Sequence, residues 1–165
     1  MASGKAWKYG DDVNTDVILP GRYLDSYEPE YLKSHAMEDL DPGFSEGVRP
    51  GDIVVGGKNF GCGSSREQAA TCLVYSGVTA VVAKSFARIF FRNAINSGLA
   101  VIENGRAAEA IQNGDEVEVD LQGGIIKNLS RNEEYKILPL PPFIMGILED
   151  GGLIPHLKRK LGGQQ

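Results

Sequence analysis

The sequence predicts one α/β domain built in three layers, and three observations lead there. Apolar runs at residues 53–55 and 78–83 each precede a segment of helix formers, at 67–75 and 86–97, and a third apolar run follows at 99–102. That alternation is the mark of β-α-β units with parallel strands. Residues 116–121 then alternate apolar with acidic side chains, and Gly123-Gly124 leads into Ile125-Ile126, the pattern of a late antiparallel hairpin with one solvated face. A length of 165 residues suits a single domain, residues 1–165, with a substantial core. Parallel crossovers followed by a hairpin give a layered, sandwich-like α/β arrangement.

Read in order, residues 6–9 form the first strand, and Gly10-Asp11-Asp12-Val13-Asn14-Thr15-Asp16 is a polar turn that presents several acceptors together. Val17-Ile18-Leu19 follows, before Pro20-Gly21. Residues 22–44 have no clean period and carry Pro29, Pro42 and many charges, so they are expected as a surface loop or lid, with a short amphipathic helix over 30–40. Residues 135–140 suggest a further strand. The C-terminal segment, 141–165, is helical by the spacing of Phe143, Ile144, Ile147 and Leu148, with interruptions at Gly151-Gly152 and Pro155. Lys158-Arg159-Lys160 complements the end of a last helix before Gly162-Gly163.

Composition removes several function classes. A net charge of −5 lacks the concentrated basic face of a nucleic-acid binder. No apolar stretch approaches the roughly 20 residues of a membrane span. The N-terminus shows no secretory pattern and two cysteines make no disulfide framework, so a reducing, cytoplasmic setting is expected. His35 and His156 lack companions at metal-ligand spacing and are expected at the surface.

The chemistry concentrates in Gly57-Lys58-Asn59-Phe60-Gly61-Cys62-Gly63-Ser64-Ser65-Arg66-Glu67-Gln68-Ala69-Ala70, a glycine-rich turn between a predicted strand and a predicted helix. The first N–H groups of a helix lack intrahelical partners and its dipole favours negative charge, so such a junction suits a carboxylate, phosphate or alkoxide. A plain tight turn in which Ser64 or Ser65 caps the helix is the competing explanation. Known phosphate loops fit poorly, because Asn59 stands where a Walker motif needs Ser or Thr and the dinucleotide fingerprint lacks its third glycine. Cys62 reads as a small residue packed behind the turn, against the alternative of a reactive thiol. Arg88 and Arg92 share a helix face at i, i+4, a placement compatible with either a structural role or a partner contact.

Three separated motifs occur in order: Asn14-Thr15-Asp16, Gly57 through Glu67, and Ala83-Lys84-Ser85-Phe86-Ala87-Arg88-Ile89-Phe90-Phe91-Arg92-Asn93. Together they closely resemble the small subunit of 3-isopropylmalate dehydratase, the free-standing swivel domain of the aconitase superfamily. The resemblance spans most of the chain and implies an aconitase-type swivelling β/β/α domain. It also implies a heteromeric hydro-lyase of leucine biosynthesis, active only with a large subunit that carries a 4Fe-4S cluster, the active site lying in the cleft between the two. Such a cluster takes several thiolates, and with two cysteines this chain is expected to bind none alone. The resemblance further implies that Ser64 is the base, that Arg66 binds a substrate carboxylate, that Ser65 adds a hydroxyl or N–H, and that Asp16 orients an arginine or a substrate hydroxyl. A stand-alone binding module that kept the fold and lost the reaction is the non-enzyme alternative.

In the superfamily the element after Pro20-Gly21-Arg22 reads the substrate side group, and here it runs Tyr23-Leu24-Asp25-Ser26. Relatives that act on tricarboxylic acids, such as homoaconitase, tend to carry arginine in this element. Asp25 instead opposes a third carboxylate and favours an apolar branch. The resemblance thus points to isopropylmalate, with 2,3-dimethylmalate dehydratase or homoaconitase as alternatives. After Arg66-Glu67 the chain continues Gln68-Ala69-Ala70, where the bacterial form usually has His-Ala-Pro, as in archaeal-type and homoaconitase-like branches. Asp25→Arg is expected to raise kcat/KM on homocitrate relative to isopropylmalate by roughly ten- to a hundredfold, since it replaces repulsion with attraction. Steady-state kinetics of the complex on both acids measure this, and an unchanged ratio removes Asp25 from substrate reading.

Overall fold

The computed structural model describes residues 3–162. The strands are β1 (Ser3–Lys8), β2 (Ile53–Val55), β3 (Ala80–Ala83), β4 (Ala100–Glu103), β5 (Glu116–Asp120), β6 (Ile125–Asn128) and β7 (Glu133–Lys136). The helices are α1 (Thr15–Ile18), α2 (Pro29–Ser34), α3 (Phe44–Gly47), α4 (Glu67–Tyr75), α5 (Arg88–Asn96), α6 (Gly105–Ala110), α7 (Pro142–Glu149) and α8 (Leu153–Gly162). One sheet runs in the order β4-β3-β2-β1-β5-β6-β7. Its β1 to β4 half is parallel and its β1 to β7 half antiparallel.

The register explains the layers. Ala6, Ile53, Ala80 and Ala100 align across the four parallel strands, and so do Trp7, Val54, Val81 and Val101. Successive strand residues face opposite sides, so each row belongs to a different core. The Trp7 row packs under helices, against Ala69, Ala70 and Leu73 of α4 and Phe90 and Ala94 of α5. The Ala6 row packs against Val117, Ile126 and Tyr135 of the antiparallel half and Ala107 and Ala108 of α6. Strand β1 is the seam: its residues 3–5 pair with β5 and its residues 6–8 with β2. The antiparallel strands therefore curl over the back of the parallel ones, which yields the expected β/β/α order.

Several local expectations change. Residues 22–44, expected as a surface loop or lid, are packed against α4, because Leu32, Ala36, Met37 and Phe44 are fully buried. These anchors are irregularly spaced, so no period announced them. The helix expected over 30–40 is shorter, Pro29–Ser34, begun by the Glu28 carboxylate accepting from the N–H groups of Glu30 and Tyr31. The strand expected over 135–140 ends at Lys136, where the chain approaches Pro139 and Pro141. Helix α6 was missed; six residues are too few to show a period, and Asn104 starts it by accepting from the Ala107 N–H at 3.0 Å. His156, expected at the surface, is buried, with Nδ1 2.6 Å from the Asp150 carboxylate. Arg159 reaches the same oxygen at 2.8 Å, so one carboxylate ties α8 to the end of α7 and is held below its usual pKa range by Arg159 and His156. His35, also expected at the surface, is half-buried and stacks on Tyr23, ring centroids 3.6 Å apart. Gly163 and the last two residues of the expected C-terminal segment lie outside the described residues.

Asp52, buried just before β2, ties β1 to the turn that leads into β2 by accepting from Lys5 N–H at 2.9 Å, the Trp7 indole at 3.0 Å and Arg49 N–H at 2.9 Å. Asp52→Ala leaves those donors without their acceptor and is expected to lower folding stability by about 3 kcal/mol. A urea unfolding midpoint close to that of the parent chain would contradict the assignment.

Candidate functional site

Each sequence motif follows the carboxyl end of a parallel strand, the edge at which open α/β sheets form their crevices. Residues 10–16 leave β1, residues 57–66 leave β2, and residues 84–93 leave β3. The middle segment runs between the other two and is bonded to both. On one side Gly57 N–H donates to Gly10 O at 2.9 Å, Gly61 N–H to Val13 O at 2.7 Å, and Thr15 N–H to Cys62 O at 2.8 Å. On the other side Phe60 N–H donates to Ser85 O at 3.0 Å and Ala87 N–H to Phe60 O at 2.9 Å. Gly61 adopts φ +84°, and a Cβ there would overlap the Phe90 side chain. Gly63 adopts φ +99° beside the Thr15 hydroxyl. Only glycine holds such a backbone without strain.

This seam opens a cavity of about 480 Å³. Thr15, Gly63, Ser64, Ser65 and Arg66 form one wall, and Arg88, Ile89, Arg92 and Asn93 of α5 form another. The Thr15 hydroxyl donates to the Ser64 carbonyl at 2.9 Å and steadies the serine turn. Arg66, not a serine, occupies the cap position of α4, extended at φ −138° and ψ 111°, and no side chain caps the helix. The capping explanation for Ser64 and Ser65 is therefore excluded: both side chains stand exposed at the cavity. Among the described residues, the N–H groups of Ser64, Ser65 and Arg66 donate to no protein acceptor.

Arg66 is held from two directions. Its guanidinium pairs with the Asp16 carboxylate and donates to Leu19 O at 3.3 Å. It also rests against Gly21, where the next element begins. The Arg66 side chain is 17% exposed and Asp16 is 66% exposed, so the pair sits at the rim with Arg66 on the inner side. Tyr23, Leu24 and Asp25 lie outside the cavity lining. Leu24 O accepts from the Gln68 side chain at 3.2 Å, which ties this element to α4, while exposed Asp25 accepts from the Tyr31 hydroxyl at 3.1 Å.

The lining residues that sequence reasoning passed over are Thr15, Ile89 and Asn93, and it left Arg88 and Arg92 without a site. Their signal was present: Ala87-Arg88 opens α5 at the end of β3 as Arg66-Glu67 opens α4 after β2. Among the described residues no group of three or more His, Cys, Asp or Glu side chains is placed to hold a metal ion. Cys62 is half-buried in the seam beside Asn14. Cys72 is fully buried in α4; burial pushes its thiol pKa up, and it donates to Ala69 O at 3.3 Å.

The chain matches the small subunit of 3-isopropylmalate dehydratase from Wolinella succinogenes, 51% identical over 98% of this chain and 96% of the relative. The chain belongs to the 3-isopropylmalate dehydratase small-subunit family. The isopropylmalate/citramalate isomerase small subunit of Methanocaldococcus jannaschii is 54% identical over 100% of this chain and 98% of the relative. A crystal structure of 3-isopropylmalate dehydratase from that organism superposes with a TM-score of 0.93 at 46% identity, covering 98% of this chain and 96% of its own. The model of the aconitase C-terminal domain matches residues 33–106, which include the serine turn and α5. The small-subunit family thus accounts for the whole chain, seam and cavity included.

Gly61→Ala combines a left-handed backbone with overlap against Phe90 and is expected to cost about 2–4 kcal/mol of stability, whereas Gly63→Ala carries mainly the backbone strain, about 1–2 kcal/mol. Denaturant unfolding of the two variants side by side checks the order; equal losses would mean that the seam yields at Phe90.

Proposed function

We propose that this chain is the small subunit of a cytoplasmic hydro-lyase that interconverts 2-isopropylmalate and 3-isopropylmalate in leucine biosynthesis. The observation that carries the reading is the placement of Ser64 and Arg66 together at one cavity, in a chain that matches isopropylmalate dehydratase small subunits over nearly its full length. In this reading a separate large subunit closes the cavity and carries the 4Fe-4S cluster, and the chain is inactive without it.

Dehydration removes a proton from the carbon next to a carboxylate and a hydroxide from the neighbouring carbon; the cluster on the large subunit would supply the Lewis acid that takes the hydroxide. Arg66 takes that carboxylate through its planar fork and offsets the charge that gathers on it as the proton leaves. Asp16 and the Leu19 carbonyl together aim the guanidinium. Ser64 takes the proton from carbon as an alkoxide. A free serine hydroxyl is far too weakly acidic for this, and the unshared N–H groups at Ser64 to Arg66, with the positive end of α4, stabilise the oxyanion. Ser65 contributes its hydroxyl to the same substrate. Re-adding water with the opposite regiochemistry completes the isomerisation. Residues 22–44 flank the site as the substrate loop, and Tyr23, Leu24 and Asp25, which lie outside the cavity lining of the free chain, reach the apolar branch when the large subunit closes the cavity.

A second substrate is favoured by one observation: the relative from Methanocaldococcus jannaschii is named for citramalate as well as isopropylmalate. Citramalate differs in its branch, so the same carboxylate contacts serve both acids.

Co-expression with the cluster-bearing large subunit, followed by assay on isopropylmalate and citramalate, tests the function. Turnover of isopropylmalate is expected, and a well-assembled complex inactive on both acids would return the chain to the binding-module reading. Ser64→Ala is expected to reduce turnover well beyond tenfold, more than about 1.4 kcal/mol of barrier, with folding and partner binding retained. Activity kept above a tenth of the parent's rules Ser64 out as the base.

A further inference from the structure

We propose that Arg88 and Arg92 on α5 form a second carboxylate subsite of the cavity that holds Ser64 and Arg66. A dicarboxylic acid then spans the starts of α4 and α5, one carboxylate on Arg66 and the other on the α5 pair. This deepens the dehydratase reading and rests on it only in taking the substrate to carry two carboxylates.

Both arginines line the cavity. Neither makes an ion pair or a side-chain hydrogen bond among the described residues. Arg66, by contrast, has Asp16. Glu103 borders the shallow depression behind Arg88 and Arg92, but its carboxylate accepts from Phe86 N–H at 3.3 Å and pairs with neither. Each arginine also sits where a cation is disfavoured. Arg88 is the first residue of α5, whose cap residue Ala87 supplies no side-chain acceptor, so its charge opposes the helix dipole. Arg92 stands one turn further on the same face, where a like charge at i, i+4 adds repulsion. A bound carboxylate relieves both costs, and two guanidinium forks can hold it from adjacent turns. The cavity volume, about 480 Å³, lies in the range of small-molecule sites.

The test uses the complex with the large subunit, titrated calorimetrically with malate and with lactate, which differ by one carboxylate. The parent complex is expected to prefer malate, and Arg88→Gln/Arg92→Gln is expected to reduce that preference at least tenfold. Circular dichroism and affinity for the large subunit should stay unchanged, since both side chains are exposed and carry no buried contact. A parent complex with no preference for malate, or a preference that the double substitution leaves intact, overturns the subsite. Weakened assembly with the malate preference intact also overturns it and makes the pair a subunit contact. If the parent complex fails to turn over isopropylmalate but the malate preference falls as expected, the substrate assignment fails and the subsite stands.

Discussion

The site depends on a seam of backbone hydrogen bonds: residues 57–62 lie between the turn after β1 and the turn after β3, bonded to each. Because the bonds run between main-chain groups, the path tolerates side chains only where they clear the neighbouring segment. At Gly61 nothing clears, since Phe90 fills that space. The same Phe90 anchors the first turn of α5 in the core. Placement of the serine turn, the start of α5 and the wall between them is thus one constraint seen from three sides.

The cavity concentrates positive charge in a chain whose net charge is −5. Arg66 is compensated by Asp16, and Thr15 spends its hydroxyl on the Ser64 carbonyl, leaving the serine side chains to the cavity. Two nine-residue helices begin there without a side-chain cap. Helices α1, α2 and α6 begin with side-chain caps from Asn14, Glu28 and Asn104, whereas α3 and α7, like α4 and α5, begin without one.

Much of the scaffold was legible in the sequence because its signals are local. Apolar runs marked β2, β3 and β4, helix formers marked α4 and α5, and the Gly123-Gly124 pair marked the turn between β5 and β6. The serine turn was legible for the same reason, since a glycine-rich junction constrains its own backbone, whereas Asp16 was singled out only through the family resemblance. Residues 22–44 were not, because a few scattered anchors bury them through contacts made far away in sequence. His156 looked like a surface residue for want of a neighbour in sequence, and its partner Asp150 is supplied by the fold of α8 back onto α7.

The sequence by itself determined the layered α/β class, the strand-turn-helix junction and the identity of the groups at it, since periodicity and turn chemistry act over a few residues; the β/β/α order entered through the family resemblance. Only the tertiary structure decided that Arg66 rather than a serine occupies the helix cap, that β1 divides the sheet into parallel and curled halves, and that Arg88 and Arg92 share a cavity with Ser64. The reason is register. Which strand ends lie side by side follows from pairing between distant segments, and side chains separated by more than twenty residues meet only once that pairing has brought three strand ends to one edge.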